Sequence, residues 1–310
     1  MKYLITGGAG FIGSNIVERL INDNEYVRVI DDFSTGKKGN LETFEGRYEL
    51  VQADIREFNV VREAVEGIDV VFHEAALPSV QRSIIDPISS NEVNITGTLN
   101  VLWASKEAGV KRVVYASSSS VYGDTPELPK HEGMPTNPLS PYAVSKLAAE
   151  KYLGVFARLY GIETVALRYF NVFGPRQDPT SQYSAVIPKF ITSMLKDERP
   201  IIYGDGEQSR DFTYIDNVVG ANLLAASRPI TEPLVLNCAT QHRVTLNELV
   251  HHINSLLGKD LKPIYAEPRR GDIKHSLAAT ARINNALGYE PHVGFLEGLK
   301  KTIDGFNSKC

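Results

Sequence analysis

Tyr142 and Lys146 have residue types and a spacing that proton transfer could use. Residues four positions apart lie on the same face of a helix, so the two side chains would be neighbours. A phenol with a pKa of about 10 is a poor base at neutral pH. A positive charge about 4 Å away is worth about 4 kcal/mol at an effective dielectric of about 20, enough to lower that pKa to about 7. The lysine could therefore make Tyr142 a general base.

Four consecutive serines, Ser117-Ser118-Ser119-Ser120, lie upstream of this pair at the end of a predicted strand. A hydroxyl at that place can donate and accept hydrogen bonds, so it could relay or share a transferred proton. A Tyr-x-x-x-Lys spacing is common by chance, and the serine run is what favours a catalytic interpretation. We select Ser118 as the third catalytic candidate.

A glycine-rich segment, Thr6 to Gly13 (Thr-Gly-Gly-Ala-Gly-Phe-Ile-Gly), lies between an apolar strand pattern and a helical pattern. Gly7 would allow the tight turn, Gly10 a close approach of backbone to a pyrophosphate, and Gly13 close packing of helix on strand. The start of the helix would offer free N–H groups and a partial positive charge to phosphates. Glycines alone are weak evidence, but the strand–loop–helix context predicts a dinucleotide site.

An acidic pair, Asp31-Asp32, follows the second predicted strand about twenty residues after the glycines. The Asp31 carboxylate could accept hydrogen bonds from an adenosine ribose and would repel a 2′-phosphate, which favours NAD over NADP. Asp32 could instead be a solvated loop acid. Asp54, after the third strand, suits either an adenine edge or a simple turn.

Strands and helices alternate along about the first 170 residues. The predicted strands are Lys2–Thr6, Val27–Ile30, Tyr48–Gln52, Val70–Phe72, Arg112–Tyr115 and Thr164–Leu167. The predicted helices are Phe11–Ile21, Val60–Glu66, Ser89–Ala108 and Pro141–Tyr160. Near-continuous apolar strands in this alternation indicate an α/β fold with a doubly wound parallel sheet. Ligands of such sheets bind outside the carboxyl ends of the strands, where Gly7, Asp31, Ala75, Ser118 and Tyr169 fall.

The regular alternation of strands and helices becomes less clear after about Arg168, where the predicted segments are shorter. Later patterns predict helices over Asp216–Ala226 and Thr245–Leu257 and a strand over Leu234–Asn237. We expect a dinucleotide-binding domain over about 1–170 with a returning segment near 211–240. A smaller α/β substrate lobe would comprise 171–210 and 241–310.

The composition is that of a water-soluble globule, with 43% hydrophobic and 23% charged residues. A net charge of −4 argues against nucleic acid or an anionic membrane as a partner. The two cysteines, Cys238 and Cys310, form neither a disulfide framework nor a metal cluster, so we expect no metal. We find no signal peptide and no apolar run that could cross a bilayer, and expect a cytoplasmic protein.

These motifs together resemble the extended short-chain dehydrogenase/reductase family, in particular its NAD-dependent nucleotide-sugar epimerases. The matching segments are Thr6–Gly13, Asp31-Asp32, Asp54, His73-Glu74-Ala75-Ala76, Asn94, Ser118, Tyr142 with Lys146, Arg168-Tyr169-Phe170-Asn171, Ser209-Arg210-Asp211 and Arg269-Arg270-Gly271-Asp272. They occur in the family's order and span most of the chain.

The resemblance implies NAD as a tightly bound cofactor. The residues that would bind it are Gly7, Gly10, Phe11, Ile12, Gly13, Asp31, Asp32, Ser34, Thr35, Gly36, Asp54, Ile55, Ala75, Ala76, Leu77, Asn94, Ser117, Tyr142, Lys146 and Tyr169.

The resemblance also implies a reaction. Tyr142 would take the proton of the sugar 4-hydroxyl with help from Ser118, while hydride passes to NAD. The cationic nicotinamide of NAD⁺ would add to Lys146 in favouring the phenolate. The 4-keto sugar would turn about its link to the diphosphate, and hydride would return to its other face. Sugar dehydratases and decarboxylases of the family carry acids just before the Val121-Tyr122-Gly123 turn, where this chain has Ser119 and Ser120. That departure favours 4-epimerisation.

The implied substrate is a UDP-sugar, with arginines matching phosphate oxygens. The residues that would bind it are Ser118, Ser119, Tyr142, Asn171, Ala185, Val186, Tyr203, Arg210, Arg269, Asp272 and Ser276. Galactose 4-epimerases that exclude N-acetyl sugars have a bulky tyrosine at the position of Ser276. Serine therefore favours UDP-N-acetylglucosamine, with UDP-glucose also accepted. Uronate 4-epimerases usually have threonine where this chain has Asn171.

Two alternatives stay open, a UDP-glucuronate 4-epimerase and a net NAD-dependent dehydrogenase or reductase of a nucleotide sugar. In the family, helices that match about 89–108 and 141–160 pair across a two-fold axis. With apolar residues such as Trp103, Leu153 and Phe156 on them, we expect a homodimer.

Overall fold

The computed structural model describes residues 1–179, 185–268 and 274–307. Its centre is a seven-stranded parallel sheet in the order β3-β2-β1-β4-β5-β6-β11. The strands are β1 Lys2–Thr6, β2 Tyr26–Asp31, β3 Glu49–Gln52, β4 Val70–His73, β5 Arg112–Ser118, β6 Glu163–Tyr169 and β11 Leu234–Cys238. The order reverses between β1 and β4, where sheets of this type bind their ligands. The predicted doubly wound α/β fold is confirmed.

Helices cover both faces of this sheet. They are α1 Phe11–Asn22, α2 Phe58–Ala64, α3 Val80–Ile85, α4 Pro87–Asn91, α5 Thr98–Glu107, α6 Pro141–Tyr160, α7 Val186–Leu195, α8 Ile215–Ser227, α9 Leu246–Leu257, α10 Ala281–Leu287 and α11 Phe295–Asn307. Short 3₁₀ turns occupy Lys38–Asn40, Glu42–Phe44 and Ser119–Tyr122. One face packs against α2, α5 and α6, and the other against α1 and the later helices, so central strands such as β4 are buried along their whole length.

Three two-stranded sheets lie beyond the central one. They pair β7 Val172–Phe173 with β10 Thr213–Tyr214, β8 Ile201–Tyr203 with β13 Ile264–Ala266, and β9 Ser209–Asp211 with β12 Arg243–Thr245. The return of α8 and β11 to the central sheet supports the division into lobes expected from the sequence, which we retain as a proposal.

One predicted helix, Ser89–Ala108, differs in the structure. It is divided into α4, a π-helical segment Glu92–Gly97, and α5. A β-carbon at Gly97 would lie 2.6 Å from Ile55 Cδ1, so the wide turn brings backbone against a neighbouring side chain. Apolar spacing does not reveal such a turn, and π-turns inside helices often mark functional places.

Strand β5 is longer than its apolar run predicted, because Ala116, Ser117 and Ser118 continue the pairing with β6. The extension carries the serine run to the carboxyl edge of the sheet. Helix α6 begins after Ser140, whose Oγ accepts from the Ala143 N–H at 3.2 Å. It ends before Gly161, which has the left-handed conformation. Such caps fix both ends of a helix.

Candidate active site

The glycine loop brings β1, α1 and β4 into direct contact. Gly7 has φ +69°, and a β-carbon there would lie 2.7 Å from the Ala75 N atom. A β-carbon at Gly13 would lie 2.2 Å from the Gly7 carbonyl oxygen. Gly10 precedes α1 with no side-chain cap, so the first N–H groups of the helix are left for a ligand.

A cavity of about 630 Å³ opens at this loop and extends to Tyr142 and Lys146. Of the predicted cofactor residues it is lined by Gly7, Gly10, Phe11, Ile12, Gly13, Asp31, Asp32, Ser34, Thr35, Gly36, Asp54, Ile55, Ala75, Ala76, Leu77, Ser117, Tyr142, Lys146 and Tyr169. The glycine cradle, the uncapped helix and the acid at the end of β2 fit a dinucleotide.

The Asp31 carboxylate is buried at the end of β2 and organises the loop around the cavity. Its Oδ2 accepts from the Ala9 N–H and its Oδ1 from the Phe33 N–H, each at 2.8 Å. Burial raises the pKa of this carboxyl, although both backbone bonds oppose the shift. Asp54 also lines the cavity, where it forms an ion pair with Arg56 at 2.6 Å.

Asn94, a predicted cofactor residue, does not line this cavity. It is buried in the π-helical segment, where its Oδ1 accepts from the Leu77 N–H at 2.8 Å and its Nδ2 donates to the Ser145 hydroxyl at 3.0 Å. Asn94 therefore fixes Leu77, which does line the cavity, against helix α6.

Two of the three catalytic candidates, Tyr142 and Lys146, line the cavity, and the third, Ser118, lies beside Tyr142 at the end of β5 without lining it. The Tyr142 phenol is hydrogen-bonded to Ser118. Lys146 Nζ donates to the Ala116 carbonyl at 2.8 Å and lies 5.8 Å from the Tyr142 ring centroid. The helical spacing predicted from the sequence thus brings the Lys146 ammonium to the Tyr142 ring, and the end of β5 brings the Ser118 hydroxyl to the same phenol.

The pKa of Tyr142 differs from the expectation. Burial raises it to about 12, the hydrogen bond from Ser118 opposes this, and the charge of Glu74 adds to it. Among the protein's own groups, Lys146 does not lower this pKa as the sequence predicted, because its ammonium donates to the Ala116 carbonyl and partial burial of the phenol raises the pKa. Burial also lowers the pKa of Lys146 to about 8.

A buried ion pair fixes helix α6 against the sheet. Both Glu150 oxygens accept from the Arg168 guanidinium, at 2.9 and 2.7 Å, and Ser117 donates its hydroxyl to the same carboxylate at 2.5 Å. Both charged side chains are 5% exposed or less, so removing either one would leave a buried charge unpaired. The pair ties α6 to β5 and β6, and so sets where Tyr142 lies.

A second cavity of about 640 Å³ adjoins the first, with Ala185 in the wall of both. Its lining includes the predicted substrate residues Asn171, Ala185, Val186, Tyr203 and Arg210. Asn171 has φ +36°, and its amide donates to the Asp211 carbonyl at 3.1 Å. A ligand could therefore extend from Tyr142 toward Arg210.

The remaining predicted substrate residues are distributed differently. Ser118, Ser119 and Ser276 line neither cavity. Ser118 ends β5, Ser119 begins the 3₁₀ turn that follows, and the Ser276 N–H donates to the Ser209 carbonyl at 3.0 Å. Arg269 and Asp272 lie outside the described residues.

Other lining residues were missed as site residues from the sequence. Glu74 follows β4 directly, a position that the carboxyl-end rule could have flagged. Lys37 and Asp178 form an ion pair at 3.0 Å between two loops of the cavity wall. Their partnership joins residues far apart in the chain, and no local pattern indicates it.

Comparison with known proteins places the chain in a family. Residues 3–239 match the model of the NAD dependent epimerase/dehydratase family, and the chain belongs to this family. A UDP-N-acetylglucosamine 4-epimerase from Methanobrevibacter ruminantium, solved with UDP-N-acetylmuramic acid, is 42% identical with a TM-score of 0.96, covering 100% of this chain and 99% of that one.

Two further relatives act on other sugars. The UDP-glucose 4-epimerase of Mycolicibacterium smegmatis is 38% identical over 313 residues, covering 100% of this chain and 99% of that protein. The UDP-glucuronic acid 4-epimerase of Bacillus cereus, solved with UDP-glucuronic acid and NAD, is 32% identical with a TM-score of 0.93, covering 100% of both chains. The predicted family and the predicted cofactor, NAD, are confirmed.

A substitution in the glycine cradle tests the cofactor site. Gly13→Ala should weaken NAD binding at least roughly tenfold, because its β-carbon would displace the Gly7 carbonyl and the loop with it. Gly39→Ala is the matched control, since its β-carbon would meet nothing closer than 3.9 Å. Calorimetric titration with NAD gives both affinities, and equal affinities would contradict the cradle.

Proposed function

We propose that this protein is an NAD-dependent UDP-sugar 4-epimerase that interconverts UDP-N-acetylglucosamine and UDP-N-acetylgalactosamine and also accepts UDP-glucose and UDP-galactose. The observation that carries the proposal is the hydrogen-bonded pair Tyr142 and Ser118 beside Lys146, with Tyr142 and Lys146 in the wall of a cavity that adjoins a second one at Ala185. A dinucleotide fits the first cavity and a nucleotide sugar the second.

The chain's own residues supply position and proton transfer. Tyr142 accepts the proton of the sugar 4-hydroxyl, and Ser118 shares that proton through its bond to the phenol. Lys146 is held by the Ala116 carbonyl and keeps a positive charge beside the phenolate. NAD, when bound, accepts hydride from C4 and returns it, so the two half-reactions cancel in redox terms. After the 4-keto sugar has rotated and hydride has returned to its other face, Tyr142 gives the proton back to the 4-oxygen.

The residues after β5 favour epimerisation over elimination. Ser119 and Ser120 form the 3₁₀ turn that leads into Val121 and Tyr122, and neither can act as an acid–base group in the way a carboxylate does. Loss of water or of a carboxyl group would need such a group next to the sugar. Oxidation followed by reduction at C4 needs only Tyr142, Ser118 and the cofactor.

The preference for an acetamido sugar rests on Ser276 and its surroundings. Its N–H is bound to the Ser209 carbonyl, one residue from Arg210 in the wall of the second cavity. A serine there leaves more room than a tyrosine would. The 42% identical Methanobrevibacter enzyme, named for UDP-N-acetylglucosamine, supports the same choice. UDP-glucuronate is the second candidate, since a 4-epimerase of that sugar is also a relative.

Turnover assays on three sugars test this proposal. The protein should epimerise UDP-N-acetylglucosamine and UDP-glucose faster than UDP-glucuronate, with no net change in NADH. In Ser276→Tyr, the rate with UDP-N-acetylglucosamine should fall by roughly 100-fold or more, and the rate with UDP-glucose by about tenfold at most. The added ring would fill the space that the acetamido group needs. Chromatography of the 4-epimers measures each rate.

Two controls define the outcomes. Tyr142→Phe keeps the ring and should abolish turnover of every sugar. Equal losses of both substrates in Ser276→Tyr would overturn the sugar assignment, and stoichiometric NADH release would replace epimerisation with a net dehydrogenase.

We further propose that the chain forms a homodimer through an exposed apolar surface, the α3–α6 patch. It consists of Ile84, Ile85, Ile88, Tyr152, Val155 and Leu159, with Ile85, Ile88 and Leu159 about 70% exposed. Leu153 and Phe156, which suggested the dimer from the sequence, are buried in the core, and Trp103 packs edge-on against Phe156 at 6.4 Å. Contiguous exposed apolar side chains of this kind mark interaction surfaces.

A charge in the patch tests the dimer. Leu159→Asp should convert the dimer to monomer at micromolar concentration, because burying each unpaired carboxylate costs several kcal/mol. Leu296→Asp, 53% exposed on α11, is the control and should leave the mass unchanged. Light scattering after gel filtration gives both masses, and a monomeric parent protein would refute the proposal.

In the part of the chain that the structure describes, no helix combines the length and the apolarity that crossing a bilayer requires. The cytoplasmic location expected from the sequence stays a prediction.

A further inference from the structure

Glu74 is an acidic residue at the catalytic end of the first cavity to which the proposed reaction gives no role. It follows β4 at the place where the strand order reverses, and its N–H donates to the Thr6 carbonyl at 3.1 Å. It lines the cavity together with Ala75, Tyr142, Lys146 and Tyr169. A half-buried carboxyl group in such a wall needs a reason, because its charge is costly to desolvate.

The contacts of Glu74 leave one oxygen available. Its Oε1 accepts the hydroxyl of Tyr169 at 2.8 Å, and that hydroxyl in turn accepts from the Asn222 amide at 2.8 Å. The chain Asn222–Tyr169–Glu74 fixes the carboxylate from the side of β6 and α8. Within the described parts of the chain, Oε2 has no hydrogen-bond partner, in a side chain that lines the cofactor cavity.

The titratable groups around Glu74 come from four other elements. Lys146 and Tyr142 lie on α6, and Tyr115, Tyr169 and Cys238 lie on β5, β6 and β11, all close enough to interact with its charge. On β4 itself, His73 bonds Thr6 and Thr98 at 2.7 and 2.8 Å, and burial lowers its pKa to about 3, so it is neutral. Lys146 is the cation in this set.

We propose that Glu74 is a positioning residue whose carboxylate acts as the counter-charge of the nicotinamide and biases bound cofactor toward its oxidised, cationic form. A fixed anion stabilises NAD⁺ relative to NADH, whose nicotinamide ring is neutral. In the proposed reaction this bias favours return of the hydride, so that the keto sugar is reduced before it leaves. No additional electrons are involved: hydride leaves C4, resides on the cofactor and returns to C4.

The bias should depend on pH. Burial raises the pKa of Glu74 to about 7, against the opposing bond from Tyr169 and the charge of Lys146. As the pH falls through about 7 the carboxylate takes up a proton and loses its charge. The preference for NAD⁺ over NADH should therefore be present above this pH and decline below it.

A competition experiment tests this assignment without any sugar. The protein is equilibrated with mixtures of NAD⁺ and NADH of known ratio, and the fluorescence of bound NADH gives the relative affinity. Glu74→Gln should shift the relative affinity toward NADH by roughly tenfold above pH 7, and should remove the pH step near 7. Glu74→Asp keeps the charge and should keep part of the bias, and the exposed Glu66→Gln is the control.

The outcomes separate the alternatives. A purely structural role would weaken both cofactors equally and leave their ratio unchanged in Glu74→Gln, which would overturn the proposal. A ratio that is independent of pH in the parent protein would overturn it as well. The inference rests on the proposed hydride transfer, but absence of epimerase activity with an intact Glu74 effect would refute the sugar assignment alone.

Discussion

Desolvation of the Tyr142 phenol is the constraint on which the rest of the site depends. The fold holds this side chain between Ser118 and Lys146, and burial raises its pKa to about 12. A phenol with so high a pKa gives a strongly basic phenolate, but the phenol must first lose its proton. The Lys146 ammonium, 5.8 Å from the Tyr142 ring centroid, donates to the Ala116 carbonyl, and the pKa of Tyr142 remains raised despite this charge. We propose that the oxidised cofactor supplies the positive charge that offsets the burial, which would couple proton transfer to cofactor binding.

The architecture around this phenol is built to keep it in place. The Glu150–Arg168 pair ties the middle of α6 to β6, and Ser117 adds a bond from β5. At the start of the same helix, Asn94 of the π-helical segment bonds Ser145. Buried polar groups that are paired in this way are expensive to rearrange, so α6 is fixed relative to the strands whose ends carry Ser118 and the glycine loop.

Local patterns in the sequence predicted the parts of the site that depend on local geometry. The spacing of Tyr142 and Lys146, the glycines of Thr6–Gly13 and the acid at Asp31 each follow from one helix, one loop or one strand end. The apolar alternation similarly predicted the parallel sheet. The division of the predicted helix by the π-helical turn was missed because apolar spacing does not distinguish a π-turn from the α-helix around it.

The electrostatics could not be predicted in the same way. The pKa of Tyr142 is raised because the assembled fold partly buries the phenol, and the charge of Glu74, which follows β4, adds to this. Helical spacing predicts that Lys146 lies near Tyr142, but it does not predict how much solvent reaches the phenol. The sequence also could not tell which apolar residues of α6 are exposed: Leu153 and Phe156, which suggested a homodimer, face the core, while Leu159 on the same helix is exposed.

An ultraviolet titration of the Tyr142 phenolate tests the coupling of proton transfer to the cofactor most directly. The difference spectrum of the parent protein against Tyr142→Phe isolates this one tyrosine. We predict an apparent pKa near 12 for the protein alone. Saturating NAD⁺ should lower this pKa by at least about one pH unit, and saturating NADH should lower it by less. The same pKa in all three samples would contradict the account.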